Sequence, residues 1–149
     1  MTQQEKPYLS ARTFMFSVQK GDDLLQALQG FCHHYQIRCG VIHALGAVER
    51  ATFSVYDQKA KKYVKINLEK ELEILSLCGN VSLFDDKPMV HAHITFSDAQ
   101  GNAFGGHLMA GTMVFSCEIF IQELSGDMKV RKLDKATQLP LWTNPVFFK

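Results

Sequence analysis

The sequence lacks the features that mark several common classes of protein. No apolar stretch approaches the roughly 20 residues that a membrane-spanning helix needs, so we expect no membrane contact. No glycine-rich phosphate loop, GxSxG motif or internal repeat is found. The start MTQQEKPYLS has no apolar signal core, and the cysteines lie in apolar surroundings without CxxC spacing. We therefore expect a reducing, cytoplasmic location.

An excess of charge of either sign is also missing. Sixteen Lys and Arg residues nearly balance fifteen Asp and Glu residues, which gives a net charge of +1. The basic residues are scattered or interleaved with acids, whereas proteins that follow a nucleic-acid backbone concentrate their cations on one face. Charge therefore gives only weak support to DNA as a partner.

The residues that are present predict one α+β domain. The 149 residues, 46% of them hydrophobic, suffice for one ordinary core. Residues 24–35 repeat apolar side chains with a period of 3.6, and Asp22 or Asp23 can cap this helix. Strands are predicted at residues 12–18, 39–48, 51–56, 63–66, 72–83, 90–96 and 112–123. We expect a single domain that combines this helix with several strands.

The most informative segment is 88–118, PMVHAHITFSDAQGNAFGGHLMAGTMVFSCE, which contains three of the six histidines. His91 and His93 are two residues apart in a predicted strand and therefore project from the same face. Residues 98–102 predict a three-residue hairpin loop in which Gly101 adopts the left-handed conformation. Continuing this register places His107 opposite His93, on the face that holds the other two imidazoles.

Three convergent imidazoles can bind one borderline divalent ion such as zinc and leave room for water or a substrate. Two alternatives remain: the histidines are half-buried polar residues of a strand, or a bulge at Gly105 and Gly106 turns His107 to the other face. His33 and His34 lie near the end of the predicted helix, where partly cationic imidazoles suit the helix dipole. We expect them at the surface and not among the ligands.

Two further features of the chain are ambiguous from sequence. Glu118 interrupts the apolar run 112–123, and an unpaired buried carboxylate is costly. It can point to solvent, meet a cation, or approach a metal site or a histidine N–H. Residues 139–142, LPLW, form an apolar patch that can dock on the body of the domain or on a neighbouring subunit.

Four separated blocks resemble the plants-and-prokaryotes-conserved (PPC) domain. They are GVIHALGAV at 40–48, LEILSLCG at 72–79, VHAHITF at 90–96 and FGGHLMAGTMVFSCE at 104–118, in the order of the family. The resemblance covers about residues 10–125. It implies a polar N-terminal segment at 1–10, the domain at 11–125, and a C-terminal extension at 126–149 packed on the domain or on a neighbouring subunit.

The resemblance also carries functional expectations. It implies a compact α+β single domain with a largely antiparallel β-sheet flanked by a few helices, assembled as a homotrimer. It also implies a DNA-binding label and a metal site that falls on His91, His93 and His107. The Arg-Gly-Arg hook by which plant members enter the minor groove is absent from this sequence. The fold also resembles acetolactate decarboxylase, a metal enzyme, so two function classes stay open. One is a metal-binding or regulatory module; the other is a metal-dependent enzyme acting on a small carbonyl or carboxylate substrate, with Glu118 or His43 moving protons.

Overall fold

The computed structural model describes residues 6–143, which form nine strands and one helix. In chain order the elements are β1 (Leu9–Val18), α1 (Leu24–His34), β2 (Gly40–Asp57), β3 (Lys62–Leu68), β4 (Leu72–Phe84), β5 (Lys87–Ser97), β6 (Ala103–Leu108), β7 (Met113–Ser125), β8 (Val130–Leu133) and β9 (Pro140–Trp142). The strands form a single sheet in which every pairing is antiparallel except that of β8 with β4. The α+β fold with a largely antiparallel sheet is confirmed, with one helix in the described part of the chain instead of a few.

Strand β2 organises the sheet. Its first half pairs with β4 on one edge and β7 on the other, and its second half pairs with β3 and β6. Because β4, β5 and β6 are consecutive neighbours, the path from β4 returns to β2 through β6 and the sheet closes on itself. The two strands predicted at 39–48 and 51–56 are thus one continuous strand.

A close approach of β2 to β7 explains how so long a strand bends. Its register against β4 shifts between Ala44 and Gly46. Gly46 has φ +147°, and a Cβ there would lie 2.1 Å from the carbonyl oxygen of Ser116. Only glycine permits this contact between β2 and β7.

The core lies inside the curved sheet and beneath α1. Leu24, Leu28 and Cys32 of the helix are fully buried. The carboxylate of Asp23 accepts a hydrogen bond from the N–H of Gln26 at 3.0 Å, so Asp23 is the helix cap. Phe31 stacks on Phe16 of β1 with ring centroids 3.9 Å apart. One stripe of the helix thereby covers one end of the sheet, and the opposite sheet surface remains outward.

The segment after β7 lies against the body of the domain. β8 pairs with β4, and β9 pairs with β8, which places residues 130–142 beside β4. The predicted domain boundaries at 10/11 and 125/126 stay predictions, although β1 already begins at Leu9. Within residues 6–143 no helix combines the length and apolar composition that crossing a bilayer requires.

Candidate metal centre

The hairpin of β5 and β6 has the predicted turn and register. Gly101 adopts φ +80°, and the N–H of Asp98 donates to the carbonyl of Asn102 at 3.1 Å. The Asp98 carboxylate also accepts from the N–H groups of Gln100 and Asn102, at 3.0 and 2.9 Å. His93 lies directly opposite His107 as a result.

No bulge turns His107 away. The register between β5 and β6 is constant from His93–His107 to Ser97–Ala103, so Gly105 and Gly106 serve another purpose. A Cβ on Gly105 would lie 2.4 Å from the carbonyl oxygen of Ile94, and one on Gly106 would lie 2.5 Å from that of Ser54. The two glycines therefore let β6 fit closely between β5 and β2.

The three imidazoles converge as the strand register requires. The ring centroids of His91 and His93 are 5.2 Å apart, those of His91 and His107 5.1 Å, and those of His93 and His107 5.6 Å. One ring nitrogen from each residue lies within 4.8 Å of the other two. Nitrogens bound to one tetrahedral zinc ion at ~2.1 Å are about 3.4 Å apart, so small side-chain rotations bring the three to ligand distance.

The protonation and partial burial of His91 and His107 also fit a metal ion, while His93 is exposed. Burial, followed by the nearby Arg131 and the other two histidines, lowers the pKa of His91 to about 4. Burial likewise lowers the pKa of His107. Both imidazoles are therefore neutral near pH 7, as metal ligation requires. Nδ1 of His107 is buried and has no hydrogen-bond partner among the described residues, which a bound ligand or ion would relieve.

Neighbouring side chains hold the imidazoles in place. The Tyr63 ring stacks on His107 with centroids 4.9 Å apart. Nη2 of Arg131 lies 3.3 Å from Nδ1 of His91. A guanidinium can only donate, so Nδ1 accepts this hydrogen bond and the proton of the neutral His91 ring sits on Nε2.

A cavity of about 400 Å³ opens beside the three imidazoles. Its polar lining comes from the histidines together with Ser54, Tyr56, Tyr63 and Arg131, and its apolar lining includes Val55, Met89, Leu139, Pro140 and Leu141. None of the described residues that line it is an aspartate or a glutamate. An ion held by the histidines would thus face a pocket large enough for a small molecule.

The other candidate residues lie outside this cavity. His43 is exposed, two strands from His93 and separated from it by Cys78 in the cross-strand row. Glu118 is exposed on β7, opposite Leu45, and so takes the solvent-facing alternative. Neither lines the cavity, and their catalytic roles stay predictions. His33 and His34 are exposed at the end of α1, as expected.

Sequence reasoning missed several residues of the cavity, among them Arg131 and Ser54. Arg131 lies in a polar stretch with no periodic pattern, and it reaches the site only because β8 pairs with β4. Ser54 sits between Phe53 and Val55, an alternation that predicts an exposed serine, yet Ser54 is buried and Val55 is exposed. The second half of β2 extends past the core. There the outward face of the strand, which carries Ser54, is covered, and the inward face, which carries Val55, is open to solvent.

Comparison with solved structures identifies proteins of the same fold. The metal-containing protein of Archaeoglobus fulgidus is 38% identical, with a TM-score of 0.88 over 95% of this chain and 100% of that chain. The plant- and prokaryote-conserved (PPC) protein of Pyrococcus horikoshii is 35% identical, with a TM-score of 0.91 over 97% of this chain and 100% of that chain. A candidate DNA-binding protein of Bacteroides thetaiotaomicron, 23% identical with a TM-score of 0.82 over 91% of this chain and 96% of that chain, shares the fold.

A family model establishes the family, and a curated relative shares part of its length with this chain. The Bifunctional protein GlmU of Synechococcus sp. strain JA-3-3Ab is 35% identical over 136 residues, which are 90% of this chain and 21% of that protein. The chain thus spans about a fifth of the length of this curated relative. The model of the Plants and Prokaryotes Conserved (PCC) domain matches residues 6–125. The chain therefore belongs to the Plants and Prokaryotes Conserved domain family.

Proposed function

We propose that the protein is a homotrimeric, cytoplasmic metal-binding module in which His91, His93 and His107 hold one divalent ion per subunit, with zinc as the expected ion. The observation that carries the proposal is that three ligand nitrogens from two adjacent strands lie within 4.8 Å of one another. The similarity to the metal-containing protein of Archaeoglobus fulgidus, 38% identical, supports it.

The donor set defines what the ion could contribute. Three neutral imidazoles leave a fourth position open on a tetrahedral ion, at which the ion can polarise a carbonyl or acidify water. Moving protons at that position requires an acid or a base beside it, and neither Glu118 nor His43 lines the cavity. We therefore favour a binding or regulatory module over a metal-dependent enzyme.

The outer surface of the sheet supports the trimer. Met15 on β1 is 72% exposed and lies opposite Phe120, which lies opposite His43, so the three side chains share the outward face. Leu45 and Leu75 on the neighbouring strands are also exposed. A row of apolar side chains on one surface is typical of an interface between subunits. Val146, Phe147 and Phe148, which the sequence also suggests for such contacts, lie outside the described residues.

Light scattering coupled to size exclusion tests the assembly. The subunit mass is 16.8 kDa, so the proposal predicts a particle near three times that mass at micromolar concentration. Met15→Glu is expected to dissociate it, because each interface would then bury a carboxylate without a partner. Leu9→Glu is the matched control, since Leu9 is similarly exposed at the start of β1. A wild-type particle at the subunit mass would contradict the trimer.

A further inference from the structure

The charge of Arg131 is not balanced within the described part of the protein. The residue is 6% exposed, and no described carboxylate lies within ion-pair distance of it. Its partners are uncharged: Ser82 Oγ at 2.7 Å, the Pro140 carbonyl at 2.9 Å and Asn80 Oδ1 at 2.8 Å. A buried cation without a counter-ion is costly, so this site favours an anion from outside the chain.

Metal binding would release a second hydrogen-bond donor of Arg131. The guanidinium has five N–H groups, of which three meet Ser82, Pro140 and Asn80 and a fourth meets Nδ1 of His91. In a neutral metal-bound imidazole one ring nitrogen holds the ion and the other holds a proton. Whichever nitrogen of His91 ligates, Nδ1 can no longer accept from Arg131. Two N–H groups, one on each Nη atom, are then without an acceptor.

The cavity contains further unsatisfied polar atoms beside these donors. Oγ of Ser54, a residue 1% exposed, and Nδ1 of His107 are both buried, and neither has a hydrogen-bond partner within residues 6–143. Ser54 and His107 lie opposite each other on β2 and β6, and both line the cavity with Arg131. Leu139, Pro140 and Leu141 form an apolar wall of the same space. The lining thus combines a fixed cation and free polar groups with an apolar surface.

We propose that this cavity binds a small organic carboxylate whose two oxygens pair with Arg131. The apolar body of this ligand packs on Leu139 and Leu141, and the hydroxyl of Ser54 aids its approach to the histidines. The inference rests on the proposed function, because the ion would add positive charge to a cavity that no described aspartate or glutamate lines. The ion would also free one N–H group of Arg131 from His91. The recognising arginine lies on β8, beyond residues 6–125 that match the family model. The C-terminal segment of this chain therefore sets which ligand the metal centre meets.

A carboxylate fits the donors better than a phosphate does. Two N–H groups of a planar guanidinium match the two oxygens of a planar carboxylate. A phosphate presents more charge and more acceptor atoms than Arg131 and Ser54 can satisfy, and it has no apolar body for the Leu139–Leu141 wall.

Isothermal titration of zinc-loaded, full-length protein with hexanoate and with its neutral amide, hexanamide, tests the proposal. Hexanoate is expected to bind at least about tenfold more tightly, because a charge-assisted pair with a buried guanidinium is lost in the amide. The only tryptophan, Trp142, lies with its ring 5.3 Å from the guanidinium carbon of Arg131, so its fluorescence should change as hexanoate binds. Equal binding of acid and amide, heat without a fluorescence change, or inorganic phosphate binding as tightly as hexanoate would each overturn the proposal.

Substitutions of Arg131 distinguish its contribution to hexanoate binding from that of the zinc ion, because the ion can itself attract a carboxylate. Arg131→Met is expected to lose about tenfold or more in hexanoate affinity, and Arg131→Lys, which keeps the charge but not the planar fork, should lie between it and wild type. Arg38→Met is the matched control: Arg38 is a partly exposed arginine paired with Asp86 and does not line the cavity, so hexanoate affinity should not change. Wild-type hexanoate affinity in Arg131→Met would refute the assignment.

Two measurements keep the test decisive if Arg131→Met does not fold. Ser54→Ala removes a hydroxyl that has no partner in the part of the chain that the structure describes, so it should leave stability unchanged and weaken hexanoate binding severalfold. Unchanged hexanoate affinity in this variant would remove Ser54 from the site. Zinc content is measured on the same samples: full zinc without acid selectivity refutes this inference alone, whereas no zinc in wild type refutes the proposed function.

Discussion

Gly106→Ala tests whether the close contact between β6 and β2 positions the third histidine. The new Cβ would lie 2.5 Å from the carbonyl oxygen of Ser54, while ordinary contacts begin at 3.4 Å, so β6 must move by about 0.9 Å relative to β2. His107 is the next residue and moves with it. Metal ligands tolerate deviations of about 0.2 Å. We expect zinc affinity to fall at least about tenfold, with a loss of about 1–3 kcal/mol in unfolding free energy from overpacking.

Competition against a chromogenic zinc chelator measures the affinity, and urea unfolding measures the stability. Gly30→Ala is the matched control, because a Cβ at this helical position meets no atom of the described residues within 4 Å. Its zinc affinity should equal that of wild type, and its stability should rise by about 0.5–1 kcal/mol. If Gly106→Ala kept both wild-type zinc affinity and wild-type stability, the account of how β6 is held would be wrong.

Three further predictions follow from burial and charge. In metal-free protein the pKa of His91 is lowered to about 4 and that of His107 is also lowered. The unfolding free energy should therefore not be reduced above about pH 6.5 and should decline toward pH 4. A urea midpoint that stays constant over that range would contradict this. Cys78 is exposed, whereas burial raises the pKa of Cys32 to about 12, so a thiol reagent should label Cys78 first and Cys32 only on unfolding; early labelling of Cys32 would refute its burial. In gel shifts at physiological salt, DNA binding should be weak and unselective given the net charge of +1, and submicromolar binding that survives competitor DNA would show a basic surface that the sequence does not reveal.

The histidine hairpin could be predicted because its determinants are local. The period of two fixes the face of His91 and His93, and a three-residue loop with Gly101 fixes the register of His107. The apolar stripe that makes α1 is equally local.

The closure of the sheet and the far wall of the cavity depend on long-range pairing. β2 was predicted as two strands because Glu49 and Arg50 interrupt its apolar pattern, at the point where its register against β7 shifts between Val48 and Arg50. Only the partner strands, which the sequence does not identify, show that the strand continues. Arg131 follows no pattern in sequence, and it becomes part of the site only through the pairing of Phe84 with Arg131. The residues that would recognise a ligand were therefore less predictable than those that would hold the metal.

Zinc stoichiometry per subunit, measured by atomic emission after dialysis, tests the central claim most directly. Wild type should retain about one equivalent, and His93→Ala should retain little, because two imidazoles are too few for a stable site. His33→Ala, which removes an exposed histidine at the end of α1, should match wild type. A full equivalent of zinc in His93→Ala, or none in wild type, would contradict the assignment of His91, His93 and His107 as a metal centre.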